Sequence, residues 1–86
     1  METVKIKIPK YHPENGIIYN WEDDFEIKTS AEGIGFKITA NKAGLVSLAN
    51  HLLNLAQDGI PTGYHIHLDS YNSLGEDSLD LTIEKV

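Results

Sequence analysis

The stretch NKAGLVSLANHLLNLAQ, residues 41–57, decides the fold. At about 100° per residue, Leu45, Val46, Leu48, Ala49, Leu52, Leu53, Leu55 and Ala56 fill one half of a helical wheel. Ser47, Asn50, His51, Asn54 and Gln57 fill the other half. Asn41 is an N-cap residue, its amide oxygen able to accept from the free N–H groups of the first turn. Gly59 is the candidate C-cap, and Pro61 stops any continuation. The spacing therefore predicts a helix over residues 42–57. Its apolar half would lie on a sheet and its polar half would face water.

The flanks read as strands, because their apolar residues recur every second position. Val4, Ile6 and Ile8 alternate with Thr3, Lys5 and Lys7, and Pro9 ends that run. Asn15-Gly16 marks a turn, Ile17-Ile18-Tyr19 a short strand, and Trp21-Glu22-Asp23-Asp24 an acidic turn. Phe25–Lys28 and Ile34–Ile38 form a hairpin around Ser30–Gly33. After the helix, Tyr64, Ile66 and Leu68 alternate with His65, His67 and Asp69. Leu79, Leu81 and Ile83 alternate with Asp80, Thr82 and Glu84. The expected fold is α+β, an antiparallel sheet of about five to six strands with one helix packed on one face, in the order β-β-β-β-α-β-β.

With 86 residues, 41% hydrophobic and 23% charged, the chain has the balance of one small globular domain over residues 1–86. It contains no Cys, which excludes disulfide scaffolds, thiolate metal centres and cysteine nucleophiles. The N-terminus shows no basic segment followed by an apolar run, and no apolar stretch is long enough for a membrane span. A cytoplasmic home without membrane attachment is the expectation.

Seven lysines face thirteen acids, a net charge of −6, and there is no Arg. Nucleic acid is not an expected partner: like charges repel, and the guanidinium fork that grips phosphate is missing. The charge is uneven. Residues 1–43 carry a net −1, whereas residues 44–86 carry −5, with Lys85 alone against six acids. Such a field steers a basic partner toward the second half.

His65-Ile66-His67-Leu68-Asp69 is the sharpest local cluster. On a strand both imidazoles and the carboxylate stand in one row, with Asp80 and Glu84 on the partner strand nearby. Two histidines and a carboxylate can ligate zinc or iron. Nothing around the H-x-H spacing adds specificity, so an exposed sheet face without metal or cofactor is the expectation. No serine sits in a G-x-S-x-G turn and no Gly-rich phosphate loop precedes the helix, so no enzyme is expected. His12 and His51 read as solvated surface histidines. Glu22, Asp23, Asp24 and Glu26 lack the spacing of a calcium loop. Trp21, Tyr19, Tyr64 and Tyr71 are the candidate interface anchors.

The helix run at residues 41–57, then HIHLD at 65–69, NSL at 72–74 and LDLTIEKV at 79–86, resembles the immunity protein 32 family of bacterial polymorphic toxin systems. The resemblance implies a small cytosolic protein that protects its producer by binding the toxin domain encoded beside it and blocking that domain's active site. Many such toxins are nucleases with basic clefts, which an acidic face can occupy as a phosphate mimic. The expected toxin-binding residues are His65, His67, Asp69, Asp80 and Glu84 in the hairpin, with Glu76 and Asp77 in its loop. The alternatives are a small interaction module with another partner, or a self-associating one that pairs two copies along the Val4–Ile8 edge, and last a small metal-dependent enzyme built around His65 and His67.

Overall fold

Glycine 33 takes φ 61°, the backbone that lets a two-residue turn reverse the chain into its first hairpin. A computed structural model describes residues 1–86. Strand β1, Ile27–Glu32, pairs antiparallel with β2, Gly35–Ala40, so that Ile27 faces Ala40 and Thr29 faces Ile38. Helix α1 runs Lys42–Leu55. A second hairpin joins β3, His65–Leu68, to β4, Leu81–Glu84. The architecture is α+β with one helix, as expected, but the four strands form two separate two-stranded sheets. Ser30, Ala31 and Glu32 belong to β1, and Ile34 lies in the turn, fully exposed.

The core is small. Ile27, Leu68 and Leu74 pack together and are joined by Phe25, Ala40, Leu48 and Leu81. The segment after β3 covers the free edge of β1: Gly75 N donates to the Ile27 carbonyl (2.8 Å), and Leu79 N to that of Thr29 (3.3 Å). That edge is paired although no regular third strand exists.

Asn41 caps α1 as predicted. Its Oδ1 accepts from Gly44 N at 2.8 Å and also from Glu26 N at 3.0 Å, while its Nδ2 donates to the Asp24 carbonyl at 2.9 Å. One side chain thereby starts the helix and ties it to the approach to β1. Gly44 completes that contact. A Cβ there would sit 2.9 Å from Ile27 Cγ1 and closer still to the Glu26 carbonyl oxygen. The helix ends at Leu55 with Ala56 as its C-cap, short of Gly59. The carbonyls beyond it are met from a distance: the Lys85 ammonium donates to the Ile60 carbonyl at 2.9 Å and also to that of Gln57.

The expected orientation of α1 is reversed. Gly44, Ser47, Asn50, His51, Asn54 and Leu55 are buried, whereas Leu45, Leu52 and Leu53 are exposed. Of the predicted apolar half, Leu48 and Leu55 reach the interior. The reason lies in the N-terminal segment, which forms neither predicted strand: Val4–Ile8 and Ile17–Tyr19 carry no ladder. Lys7 and the residues that flank these stretches bond instead to the side chains of Ser47 and Asn50 on the helix and of Gln57 just past its end. Asn50 Nδ2 donates to the Lys7 carbonyl (3.3 Å) and Gln57 Nε2 to that of Pro9 (3.1 Å). Tyr11 N donates to Gln57 Oε1 (2.8 Å), Asn20 N to Asn50 Oδ1 (3.1 Å) and Glu22 N to Ser47 Oγ (2.9 Å). Buried backbone polar groups must find partners, and a helix face rich in amides supplies them where a sheet does not.

Candidate functional site: the polar face of the second hairpin

The β3–β4 register sets His65 opposite Glu84, Ile66 opposite Ile83 and His67 opposite Thr82. Residues directly opposite share a face, so the alternation sorts them. Ile66 and Leu68 are buried; His65, His67, Thr82 and Glu84 are exposed on the other side. The predicted row of side chains therefore exists, and its two aspartates converge on His67. Asp69 Oδ2 lies 3.2 Å from His67 Nε2, and Asp80 Oδ2 lies 3.7 Å from the same nitrogen. On the far side of the ring, His67 Nδ1 and Thr82 Oγ1 are 3.1 Å apart. A neutral imidazole protonated on Nε2 satisfies all of this, with Nε2–H donating to Asp69 and the Thr82 hydroxyl donating to Nδ1.

Asp69 has a second task. Its Oδ1 accepts from Tyr71 N (2.9 Å) and Asn72 N (3.1 Å). Asn72 reciprocates, taking Asp69 N on its Oδ1 (3.0 Å) and donating its Nδ2 to the His67 carbonyl (3.1 Å). This short polar loop fixes the aspartate against the histidine.

The remaining predicted residues are placed differently. His65 meets only the Gly63 carbonyl, 3.4 Å from its Nδ1. Glu76 and Asp77 are exposed on the segment that pairs with β1, outside the row, and Asp77 adopts φ 63°. His67, Asp69 and Asp80 hold one ligand-type atom each within 4.8 Å of one another. The loop bonds of Asp69 Oδ1 to Tyr71 N and Asn72 N hold that carboxylate against the histidine and account for its part of that proximity. Electrostatically the face is acidic, and none of its carboxylates pairs with a lysine; the stem of a further lysine, Lys28, lies along Gly75. The one lysine of residues 44–86 is Lys85, and its ammonium is turned onto the carbonyls of Gln57 and Ile60.

The aromatic anchors separate into two groups. Trp21 stacks on Phe25 with centroids 4.4 Å apart and lies 4.2 Å from the His51 ring; Tyr19 lies 4.4 Å from the same ring. A cleft of about 350 Å³ runs between these rings and the histidine row, lined by Tyr19, Trp21, His51, Tyr64, His65 and His67 among others. Tyr71 stands free at the rim of a groove of about 520 Å³ beside Phe25 and Leu74. His51 is the residue sequence reasoning missed. Expected on the surface, it is 1% exposed, and neither ring nitrogen has a hydrogen-bond partner. Burial pushes its pKa below the ordinary imidazole value, opposed by the backbone of Ser47 one turn earlier. Tyr19 is pushed up to about 12, first by burial and then by the neighbouring Tyr64. The signal for His51 was its place between Asn50 and Asn54 on the amide-bearing side of the helix.

Fold and face together define a small α+β domain that presents imidazoles and carboxylates on one exposed hairpin. Residues 36–86 match the family model of immunity protein 32, which spans β2, α1 and the whole second hairpin. The chain belongs to that family. No curated protein and no solved structure matches it. No helix is long and apolar enough to cross a membrane.

Proposed function

We propose that this protein neutralises a toxin domain by binding it directly, in the cytoplasm of the cell that makes both, with the polar hairpin face seated over the toxin's active site. Membership of an immunity protein family supports the class of partner. The single observation that supports the surface is the row itself: His67 with Asp69 and Asp80, His65 opposite Glu84, none of its carboxylates paired with a lysine, and Lys85 turned onto backbone carbonyls. In this reading the protein acts by occlusion, without catalysis, metal or cofactor. Carboxylates that jut from a rigid hairpin stand where a polyanionic substrate's phosphates would stand, and the charge accelerates encounter with a basic cleft. Glu76 and Asp77 extend the same field from the adjacent segment.

The test is the rate of association with the toxin domain encoded beside this chain. Asp69 is left untouched in it, because a substitution there would also loosen the loop at residues 69–73. The double variant Asp80→Lys with Glu84→Lys moves the net charge by four units at two exposed positions. At low salt it should slow association at least about tenfold and flatten the salt dependence, since steering is a long-range effect that ions screen. An unchanged rate together with unchanged protection of cells expressing the toxin would refute this surface.

A further inference from the structure

The outer side of α1 is not accounted for by the toxin-binding reading. It leaves Leu45 57%, Leu52 47% and Leu53 48% exposed, with Ala49 and Val46 between them. Scattered surface leucines need no explanation, but a continuous stripe along a helix does. We propose that this stripe is where a second copy of the same chain docks, the two helices packing antiparallel about a two-fold axis that passes by Ala49.

Two observations select that occupant. The first is symmetry in the residues themselves. Counting from Ala49, leucines lie four positions away on each side, at Leu45 and Leu53, and apolar residues lie three away on each side, at Val46 and Leu52. On a wheel of about 100° per residue the same set is mirror-symmetric about Ala49. An isologous interface demands such a patch, in which residue i meets j and j meets i. Leu45 of one copy meets Leu53 of the other, Val46 meets Leu52, and the small alanine at the centre lets the helices approach. The second observation is charge. The chain carries −6, so two copies repel over most of their surfaces, yet α1 has no ionised side chain beyond Lys42 at its first position. The helix thus offers a stripe without charge of its own, flanked at its Val46 border by Lys5, Lys7 and Glu22, which together carry a net positive charge rather than the chain's negative one. Phe36 and Ile38 lie half exposed on the hairpin face that also carries Ile27, against which Gly44 packs.

The experiment is sedimentation equilibrium of the purified chain across the micromolar range, with two variants. The native chain should show a concentration-dependent mass rising to twice that of the monomer. Leu52→Glu should lower it to the monomer while leaving the far-ultraviolet circular dichroism unchanged, because Leu52 is half in solvent already. Ala49→Cys gives the chain its first cysteine and places one from each copy at the axis; mild oxidation should yield a covalent dimer, and Leu45→Cys, which faces Leu53, should yield far less. A chain that stays monomeric at every concentration overturns the proposal. So does a dimer that survives Leu52→Glu and leaves Ala49→Cys uncrosslinked. If Leu52→Glu fails to fold, the ratio of the two cysteine crosslinks still decides. None of these measurements involves the toxin, so their failure is distinct from failure of the binding reading.

Discussion

Replacing His51 by phenylalanine should stabilise this protein and remove part of its sensitivity to acid. The imidazole is almost fully buried between Tyr19 and Trp21, and both of its nitrogens lack partners. An orphaned buried polar group costs about 1–3 kcal/mol. Phenylalanine keeps a planar ring among aromatic neighbours and brings no polar atom, at an overpacking cost of about 1 kcal/mol for its extra volume. The expected net gain at neutral pH is therefore about 1 kcal/mol.

The acid dependence has a defined sign. The folded pKa of His51 lies below the unfolded value near 6.5. Above that value the ring is neutral in both states and contributes no slope. As the pH falls through it, the unfolded chain binds a proton that the folded chain refuses. Stability then drops by up to about 1.4 kcal/mol per pH unit until the folded imidazole protonates too. Urea titrations followed by far-ultraviolet circular dichroism at about pH 7.5 and about pH 5.5 measure both effects. The native chain should lose stability between the two conditions, and His51→Phe should lose less. A variant that is less stable at the higher pH, or that loses as much as the native chain on acidification, would refute the reasoning.

Other substitutions test the joints of the fold. Asn41→Ala removes the helix cap and the bonds to Glu26 N and the Asp24 carbonyl, and should cost about 2 kcal/mol in urea unfolding; Asn41→Asp keeps both acceptor bonds and should cost about half as much. Gly44→Ala improves helix propensity by about 1 kcal/mol but drives a methyl into Ile27 and the Glu26 carbonyl, so a thermal melt should show a net loss of about 2 kcal/mol. Lys85→Met strips the carbonyls of Gln57 and Ile60 of their donor and should cost about 1–2 kcal/mol, read as a lower denaturation midpoint.

The second hairpin was legible because its alternation is strict: Ile66 and Leu68 go in, His65 and His67 stay out, and two rows on paired strands give one polar face. The Asn41 cap was legible for a similar reason, since a short amide before a periodic run has one good use. Helical periodicity, by contrast, says that the two sides of α1 differ and not which of them is inside. The side bearing Asn50, Asn54 and Gln57 turned inward because residues 7–22 brought it unladdered backbone to bind. The same fact bears on the missing strands: Val4–Ile8 and Ile17–Tyr19 have the pattern for a sheet, but the Lys7 carbonyl and the backbone of the flanking Pro9, Tyr11, Asn20 and Glu22 are taken by side chains. Within the polar face, the spacing of His67 and Asp69 foretold their meeting. The role of Asp69 as the hinge of the loop depends on Asn72, and no pattern announced that pair.

The seam between α1 and residues 7–22 also sets how that segment comes loose. It is stitched by amide and hydroxyl bonds, with the Tyr11, Tyr19 and Trp21 rings and the half-buried Ile8 and Ile17 adding apolar contact. Peeling it off would leave the Ile27–Leu68–Leu74 core dry, and the heat capacity of unfolding follows the apolar surface exposed. Detachment of the N-terminal segment should therefore be a separate event with a small heat-capacity change, preceding the collapse of the two hairpins. Amide exchange at Tyr11, Asn20 and Glu22 would speed up with urea far less steeply than exchange within β1 or β3, because a small newly exposed area gives a small denaturant slope. Trp21 is the only tryptophan in the chain and lies on that seam, so its fluorescence reports the event without a label.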